Sequence, residues 1–255
     1  MVATSNKPKA VVITGASAGI GRALAFEFAA RGYKLGLTAR RMEVLEKVRE
    51  EIRAAYPSSV QSIELQRLDV DATETVAPAL HTLFAALGGV DIVVVNAGIN
   101  DPTFIGKGHL AKEARIIQTN VVGTIATVDA AVEHFLTNSG GQIVGISSLA
   151  SLQGIPGQGA YCASKAAISM YLDSARVELC AKNICITKIL PGFVLTEIAR
   201  NMEKYPFVVA ADRAAHEMVR LIECRVRVGI VPSFPWRWLR PMFGYIPDWV
   251  WAKMM

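Results

Sequence analysis

Ala10-Val11-Val12-Ile13-Thr14-Gly15-Ala16-Ser17-Ala18-Gly19-Ile20-Gly21 is the stretch on which the fold turns. Its first five residues are apolar or β-branched and read as a buried strand; a glycine-rich turn follows at once, and Ile20 to Ala30 carries on with helical apolar spacing. A strand running through such a turn into a helix suits the pyrophosphate of a dinucleotide. Glycine permits the tight turn and close backbone approach, and the helix N-terminal N–H groups face the negative charge. Gly15, Ser17, Ala18, Gly19, Ile20 and Gly21 are then the phosphate-side residues, with Gly21 allowing close helix packing. A plain strand-to-helix turn also carries glycines, so the two readings are separated by the rest of the chain.

Outward from this turn, further short apolar runs follow at Lys34 to Thr38, Ser62 to Leu68, Ile92 to Val95, Gln142 to Ile146 and Ile184 to Ile189. Helix-like segments lie between them at Met42 to Ala55, Thr73 to Leu87, Glu113 to Phe135 and Tyr161 to Ala181, long enough for parallel crossovers. The runs are almost continuously apolar, as expected of strands buried on both faces. This order predicts an α/β fold: a Rossmann-type doubly wound parallel sheet of six strands with helices on both faces, in a single domain spanning residues 1–255. A Trp- and Pro-rich tail at about 232–255 stands apart.

A hydrophobic share of 52% against 19% charged residues demands a large buried core and excludes a disordered chain. The net charge of +5 fits a basic solvated surface, or attraction to nucleic acid, anionic lipid or a phosphorylated cofactor. No nucleic-acid motif accompanies it, so no nucleic-acid partner is expected. Cys162, Cys180, Cys185 and Cys224 lack CxxC spacing and read as reduced thiols, and His81, His109, His134 and His216 are too scattered for a metal site. The N-terminus has no long apolar segment before Val11, and no run approaches the roughly 18 apolar residues of a spanning helix, so a cytoplasmic protein is expected.

The turn is spaced Gly-x-x-x-Gly-x-Gly, and Thr14-Gly15-Ala16-Ser17 opens it. Asp69-Val70, Asn96-Ala97-Gly98, Asn120, Ser148, Tyr161, Lys165 and Pro191-Gly192 follow in order. Together these resemble the short-chain dehydrogenase/reductase family over about Lys9 to Thr196. The resemblance implies Asp69 and Val70 near the adenine, and Asn96, Ala97 and Gly98 along the cofactor. It places Pro191, Gly192, Val194 and Thr196 by the nicotinamide, and makes Asn120, Ser148, Tyr161 and Lys165 a catalytic tetrad. Tyr161 and Lys165 are four residues apart, on one face of a helix. A nearby ammonium favours phenolate, which suits a tyrosine, with its ordinary pKa near 10, to proton exchange. Of the two serines that follow the strand Gln142 to Ile146, the resemblance implies Ser148 as hydrogen-bond donor to the substrate oxygen, with Ser147 the weaker candidate; Lys165 is the implied holder of the ribose hydroxyls and Asn120 the implied anchor of a water-linked proton path. The implied activity is hydride transfer between a nicotinamide and a carbonyl or alcohol carbon. A catalytically silent nucleotide-binding regulator is the alternative.

The second strand ends Thr38-Ala39-Arg40-Arg41, with Ala39 where an acidic residue would hold a ribose 2′-OH. Arg40, with Arg41 beside it, suits a 2′-phosphate instead, so NADP(H) is favoured over NAD(H). Both arginines also suit a merely solvated helix start. Ala16 and Ala18 add no second cation to the glycine turn.

Downstream, Ile198 to Phe207 is a candidate lid, and Leu149, Leu152, Ile155, Phe193, Met202 and Phe207 are candidates for an apolar wall or for plain core beneath the lid. A small apolar ketone, alcohol, steroid or lipid-like substrate is expected. The chain lacks the Asp-Gly-Gly segment of many tetrameric relatives, and a homodimer through the long central helices is expected. Trp236, Trp238, Trp249 and Trp251, interleaved with Arg237, Arg240 and Lys253, suit peripheral membrane contact, a pocket cover or a partner subunit.

Overall fold

Seven parallel strands lie side by side in the order β3-β2-β1-β4-β5-β6-β9. The structure is a computed structural model that describes residues 9–59, 62–196, 207–240, 247 and 249. The strands are β1 (Ala10–Thr14), β2 (Lys34–Ala39), β3 (Ile63–Arg67), β4 (Ile92–Val95), β5 (Gly141–Ile146), β6 (Ile184–Pro191) and β9 (Val228–Val231). Two short strands, β7 (Val194–Leu195) and β8 (Val209–Ala210), pair separately in parallel. The helices are α1 (Gly19–Ala30), α2 (Met42–Ala55), α3 (Thr73–Ala86), α4 (Leu110–Ile117), α5 (Gly123–Thr137), α6 (Gly159–Leu179), α7 (Ala211–Glu223) and α8 (Trp236–Leu239).

Strand side chains alternate between two cores, which is why the strands read as unbroken apolar runs. Val11, Ile13, Leu35, Leu37, Ile92, Val94, Val144 and Ile146 pack with Leu24 and Phe28 of α1, Leu45 and Ile52 of α2, and Met218 and Ile222 of α7. The residues between them, Val12, Val93, Val95 and Ile143, pack with Leu80 and Phe84 of α3, Val128 and Phe135 of α5, and Leu172 of α6. Each fully buried Leu or Phe contributes about 1.5–3 kcal/mol, and a one-residue slip of any strand would send its side chains to the wrong core.

The first six strands and the two-sided helical cover match the sequence reading, and the sheet extends it by one. β9 is a four-residue run broken by Gly229, too short to stand out as a pattern. α7 was also missed, although Ala214, Ala215, Met218, Val219 and Ile222 recur at helical spacing on its buried face. The expected helical segment Glu113 to Phe135 is helical throughout but not uniformly α: α4 ends at Ile117, a π-helical turn occupies Gln118–Val122, and α5 begins at Gly123. The turn buries Thr119 and Asn120. Gly123 explains the close approach, because a Cβ there would lie 2.9 Å from Val70 Cβ and from the Val70 carbonyl oxygen.

Because all seven strands are parallel, their C-terminal ends share one rim. Gly15, Arg40, Asp69, Asn96, Ser148 and Gly192 each follow the end of a strand there. In an open α/β sheet, ligands bind outside these carboxyl ends where the strand order reverses, here between β1 and β4.

Candidate active site

The glycine turn and the loop after β4 are stitched together at that reversal. Buried Thr14 Oγ1 accepts the N–H groups of Asn96 (3.0 Å) and Ala97 (3.1 Å). The Asn96 carboxamide donates to the carbonyls of Thr14 (2.9 Å) and Gly15 (3.3 Å). Gly15 and Gly19 have φ of +69° and +57°, which glycine adopts without steric cost. Gly21 has no room for a side chain: an added Cβ would sit 2.4 Å from the Gly15 carbonyl oxygen and 2.5 Å from Asn96 Nδ2. Above this seam, Ser17, Ala18, Gly19 and Ile20 are partly exposed. α1 begins with no side-chain cap and no acidic residue in its first turn, so its N-terminal N–H groups face outward unneutralised. A pyrophosphate fits such a cradle.

Further along the rim, Ala39 is buried while Arg40 and Arg41 are exposed. Among the described residues neither guanidinium has an ion pair or a hydrogen bond. Asp69 Oδ1 accepts the N–H of Asp71 at 3.2 Å, folding the loop after β3 back on itself, and buried Val70 seats that loop on Gly123.

The start of α6 brings Tyr161 and Lys165 against the end of β5. Lys165 is buried, donates from Nζ to the Ile146 carbonyl at 3.0 Å, and lies 5.7 Å from the Tyr161 ring centroid. Burial pulls its pKa down to about 8. Burial also pushes the Tyr161 phenol up, and a hydrogen bond with Ser148 opposes that rise. Ser148 and Ser147, adjacent in sequence, separate here. Ser147 Oγ is spent on α6, donating to the Lys165 carbonyl at 3.0 Å and lying 2.7 Å from Ser169 Oγ, whereas Ser148 reaches the phenol.

Asn120 does not reach Lys165 with its side chain. Its Oδ1 accepts the Ile99 N–H at 2.7 Å, and its Nδ2 donates to the Ile99 carbonyl at 2.9 Å and to Ser164 Oγ at 3.0 Å. Ser164 in turn donates to the Tyr161 carbonyl at 2.7 Å. The carboxamide therefore clamps the loop after β4 onto the first turn of α6. Thr14 and Ser164 are both structural links of the site: the sequence marks Thr14 as the opening of the glycine turn but not as a hydrogen-bond acceptor, and it carries no signal for Ser164.

At the β6 end, Leu149 and Leu190 form a buried cluster with Ile230 and Trp236, against which Leu152, Ile155 and Phe193 pack. Trp236 touches the Pro191-Gly192 turn itself, since a Cβ on Gly192 would lie 2.9 Å from its Nε1. Phe193 and Phe207 meet the Trp236 ring edge-on, with centroids 5.7 and 5.8 Å away. Four of the six expected wall residues thus share one cluster, and Phe207 joins through Trp236. Met202, most of the candidate lid, and Trp251 and Lys253 of the tail lie outside the described residues. Val194 is buried in β7, and Thr196 follows it. A separate concavity of about 370 Å³ opens at the opposite ends of the strands, around Lys34, Asp91 and Glu223, and holds none of these groups.

The family model for short chain dehydrogenases matches residues 9–206. The chain belongs to the short-chain dehydrogenase/reductase family. An uncharacterized oxidoreductase of Myxococcus xanthus is 37% identical over 230 residues, covering 90% of this chain and 88% of the relative. An uncharacterized oxidoreductase of Mycobacterium tuberculosis is 33% identical over 238 residues, covering 93% of each. Among solved structures, an alcohol dehydrogenase from the archaeon Thermococcus sibiricus complexed with 5-hydroxy-NADP superposes with a TM-score of 0.78 at 27% identity, covering 88% of this chain and 95% of the other. A short-chain dehydrogenase/reductase from Burkholderia phymatum in complex with NAD, at 23% identity and a TM-score of 0.80 over 92% of each chain, shares the fold. Membership makes this chain a family oxidoreductase; the bound groups in those structures belong to those proteins.

Proposed function

We propose that the protein is an NADP(H)-dependent carbonyl reductase or alcohol dehydrogenase acting on a small apolar substrate. The observation that carries this reading is the convergence of Ser148, Tyr161 and Lys165 at the rim beside an uncapped glycine turn. When bound, the nicotinamide supplies or accepts the hydride. Gly15, Ser17, Ala18, Gly19, Ile20 and Gly21 would hold its pyrophosphate. Asp69 and Val70 would hold the adenine side, Asn96, Ala97 and Gly98 the middle, and Pro191, Gly192, Val194 and Thr196 the nicotinamide side.

Tyr161 does the proton work. In reduction its phenol O–H donates to the substrate oxygen as charge develops there, while Ser148 donates a hydrogen bond to the same oxygen. In oxidation the phenolate takes the alcohol proton. Charging Lys165 lowers the phenol's pKa against its burial, and the ammonium donors beyond Ile146 suit the ribose hydroxyls. The unpartnered Arg40 and Arg41 beside Ala39 support a 2′-phosphate preference, and the Leu149, Leu152, Phe193 and Trp236 cluster supports an apolar substrate. Exposed Ile117, Val122 and Ile125 near α5, with Met170 and Val177 on α6, support the homodimer, which sedimentation velocity would reject by returning a monomer mass.

The decisive experiment titrates NADPH and NADH into the protein and its Arg40→Ala variant, then follows oxidation of each cofactor with apolar ketones and aldehydes. Tighter NADPH binding, weakened about tenfold or more by Arg40→Ala with NADH nearly unmoved, and turnover on the panel are expected. Equal losses for both cofactors would remove Arg40 from the assignment. Binding with no turnover on any panel member would favour the silent regulator, and no binding would end the cofactor reading.

A further inference from the structure

The tail sends its first aromatic residues in opposite directions. Trp236 turns inward onto Gly192, while Phe234 and Trp238 are 75% and 77% exposed. The Arg237 N–H donates to the Ser233 carbonyl at 2.8 Å and the Leu239 N–H to the Pro235 carbonyl at 3.2 Å, so helical spacing begins at Ser233. Phe234 and Trp238 are then one turn apart, on one side of a short helical step, with exposed Arg237 and Arg240 alongside. The step is fixed to the body: Ser233 donates to Glu217 Oε1 of α7 through its N–H, at 3.0 Å, and through its hydroxyl. This bond occupies the nearby acid. From Pro232 to Met255 the chain carries Arg237, Arg240 and Lys253 against the lone acid Asp248.

We propose that this exposed face, Phe234 with Arg237, Trp238 and Arg240, docks the protein on an anionic lipid surface. Large exposed aromatic rings interleaved with cations and held by a rigid anchor are what a bilayer interface selects, with rings entering the headgroup boundary and cations pairing with lipid phosphates and carboxylates. A second copy of the chain fits less well, because two-fold pairing of this face would set arginine against arginine. No helix among the described residues is long and apolar enough to span a membrane. Docking would turn the Trp236 cluster toward the membrane, where an apolar substrate is concentrated.

The test is sedimentation of the full chain with sucrose-loaded vesicles of phosphatidylcholine alone or with 30 mol% phosphatidylserine. Each arginine contributes about a fivefold gain in partition near such a surface, so the mixed vesicles should bind at least tenfold more protein, and 0.5 M salt should erase the difference. The double variant Phe234→Ser, Trp238→Ser should lose about tenfold or more in partition with its melting temperature unchanged. If that pair does not fold, Arg237→Glu with Arg240→Glu should abolish the phosphatidylserine dependence. No binding of wild-type protein to mixed vesicles, or equal binding by folded variants, would overturn the proposal. So would a dimer in solution that dissociates in the double variant while vesicle binding persists. Melting temperature serves as the fold control, so the outcome is independent of whether nicotinamide cofactors bind.

Discussion

At the β1 end of the rim the working surface is backbone, and at the β6 end it is side chain. The glycine turn offers helix N–H groups over a seam of hydrogen bonds from Thr14 and Asn96, with Gly21 so close to Gly15 that a single methyl group would not fit. The β6 end offers Leu149, Phe193 and Trp236, brought together from three separate parts of the chain. A backbone cradle suits a ligand common to many enzymes, whereas an apolar side-chain wall can be altered by one substitution and suits a substrate particular to this one. Tyr161, Ser148 and Lys165 lie between the two.

Substitutions in each region should therefore fail in different ways. The largest effect is expected where the regions meet: Tyr161→Phe should lower kcat by about 10²–10⁴-fold while the NADPH Kd stays within about threefold. Stopped-flow turnover with fluorescence titration would check this, and a parallel loss of cofactor affinity would move Tyr161 out of the proton role and into the cradle.

Lys165 should show its burial in the free protein. With its pKa near 8 rather than 10.5, the unfolded chain holds more protons between those values, so folded stability rises as pH climbs through that window and is lowest below pH 8. Lys165→Met should remove that rise, worth on the order of 3 kcal/mol at most, and should also suppress turnover. Denaturant melts at pH 7 and pH 10 would check it, and an unchanged pH slope would mean that the ammonium is solvated.

Gly21→Ala should cost about 1–3 kcal/mol of stability, because backbone rather than a flexible side chain must move. It should weaken NADPH and NADH alike and leave the ranking of carbonyl substrates intact. A variant that kept its cofactor affinity would show that the turn can relax. The smallest effect is expected from Trp236→Phe, a few-fold rise in KM confined to bulky apolar carbonyls with cofactor binding unchanged. A uniform change across the substrate series would reduce Trp236 to a packing role.

Much of this was legible in the chain because it depends on local order. A strand, a glycine turn and a helix in immediate succession state their own geometry, and parallel strands must deliver whatever follows each of them to the same rim. Six strands and the rim positions of Gly15, Arg40, Asp69, Asn96, Ser148 and Gly192 followed from that. The π-helical turn at Asn120 did not, because α-helical and π-helical spacing differ by one residue and only the contact between Gly123 and Val70 and the clamp to Ile99 show where that residue goes. The resemblance selected Ser148 over Ser147 by its spacing to Tyr161, and packing against α6 supplies the physical reason, because the Ser147 hydroxyl is taken by the Lys165 carbonyl.

The sequence alone determined the doubly wound class, which residues each strand delivers to the rim and the Tyr161–Lys165 pairing, since each rests on neighbours within a few residues or on strand order. Tertiary structure alone decided what holds the Ser147 hydroxyl, what the Asn120 carboxamide holds, and that Trp236 turns inward while Phe234 and Trp238 turn out. Those outcomes depend on which distant segment claims each side chain, and burial and hydrogen bonding settle that only once the sheet is assembled.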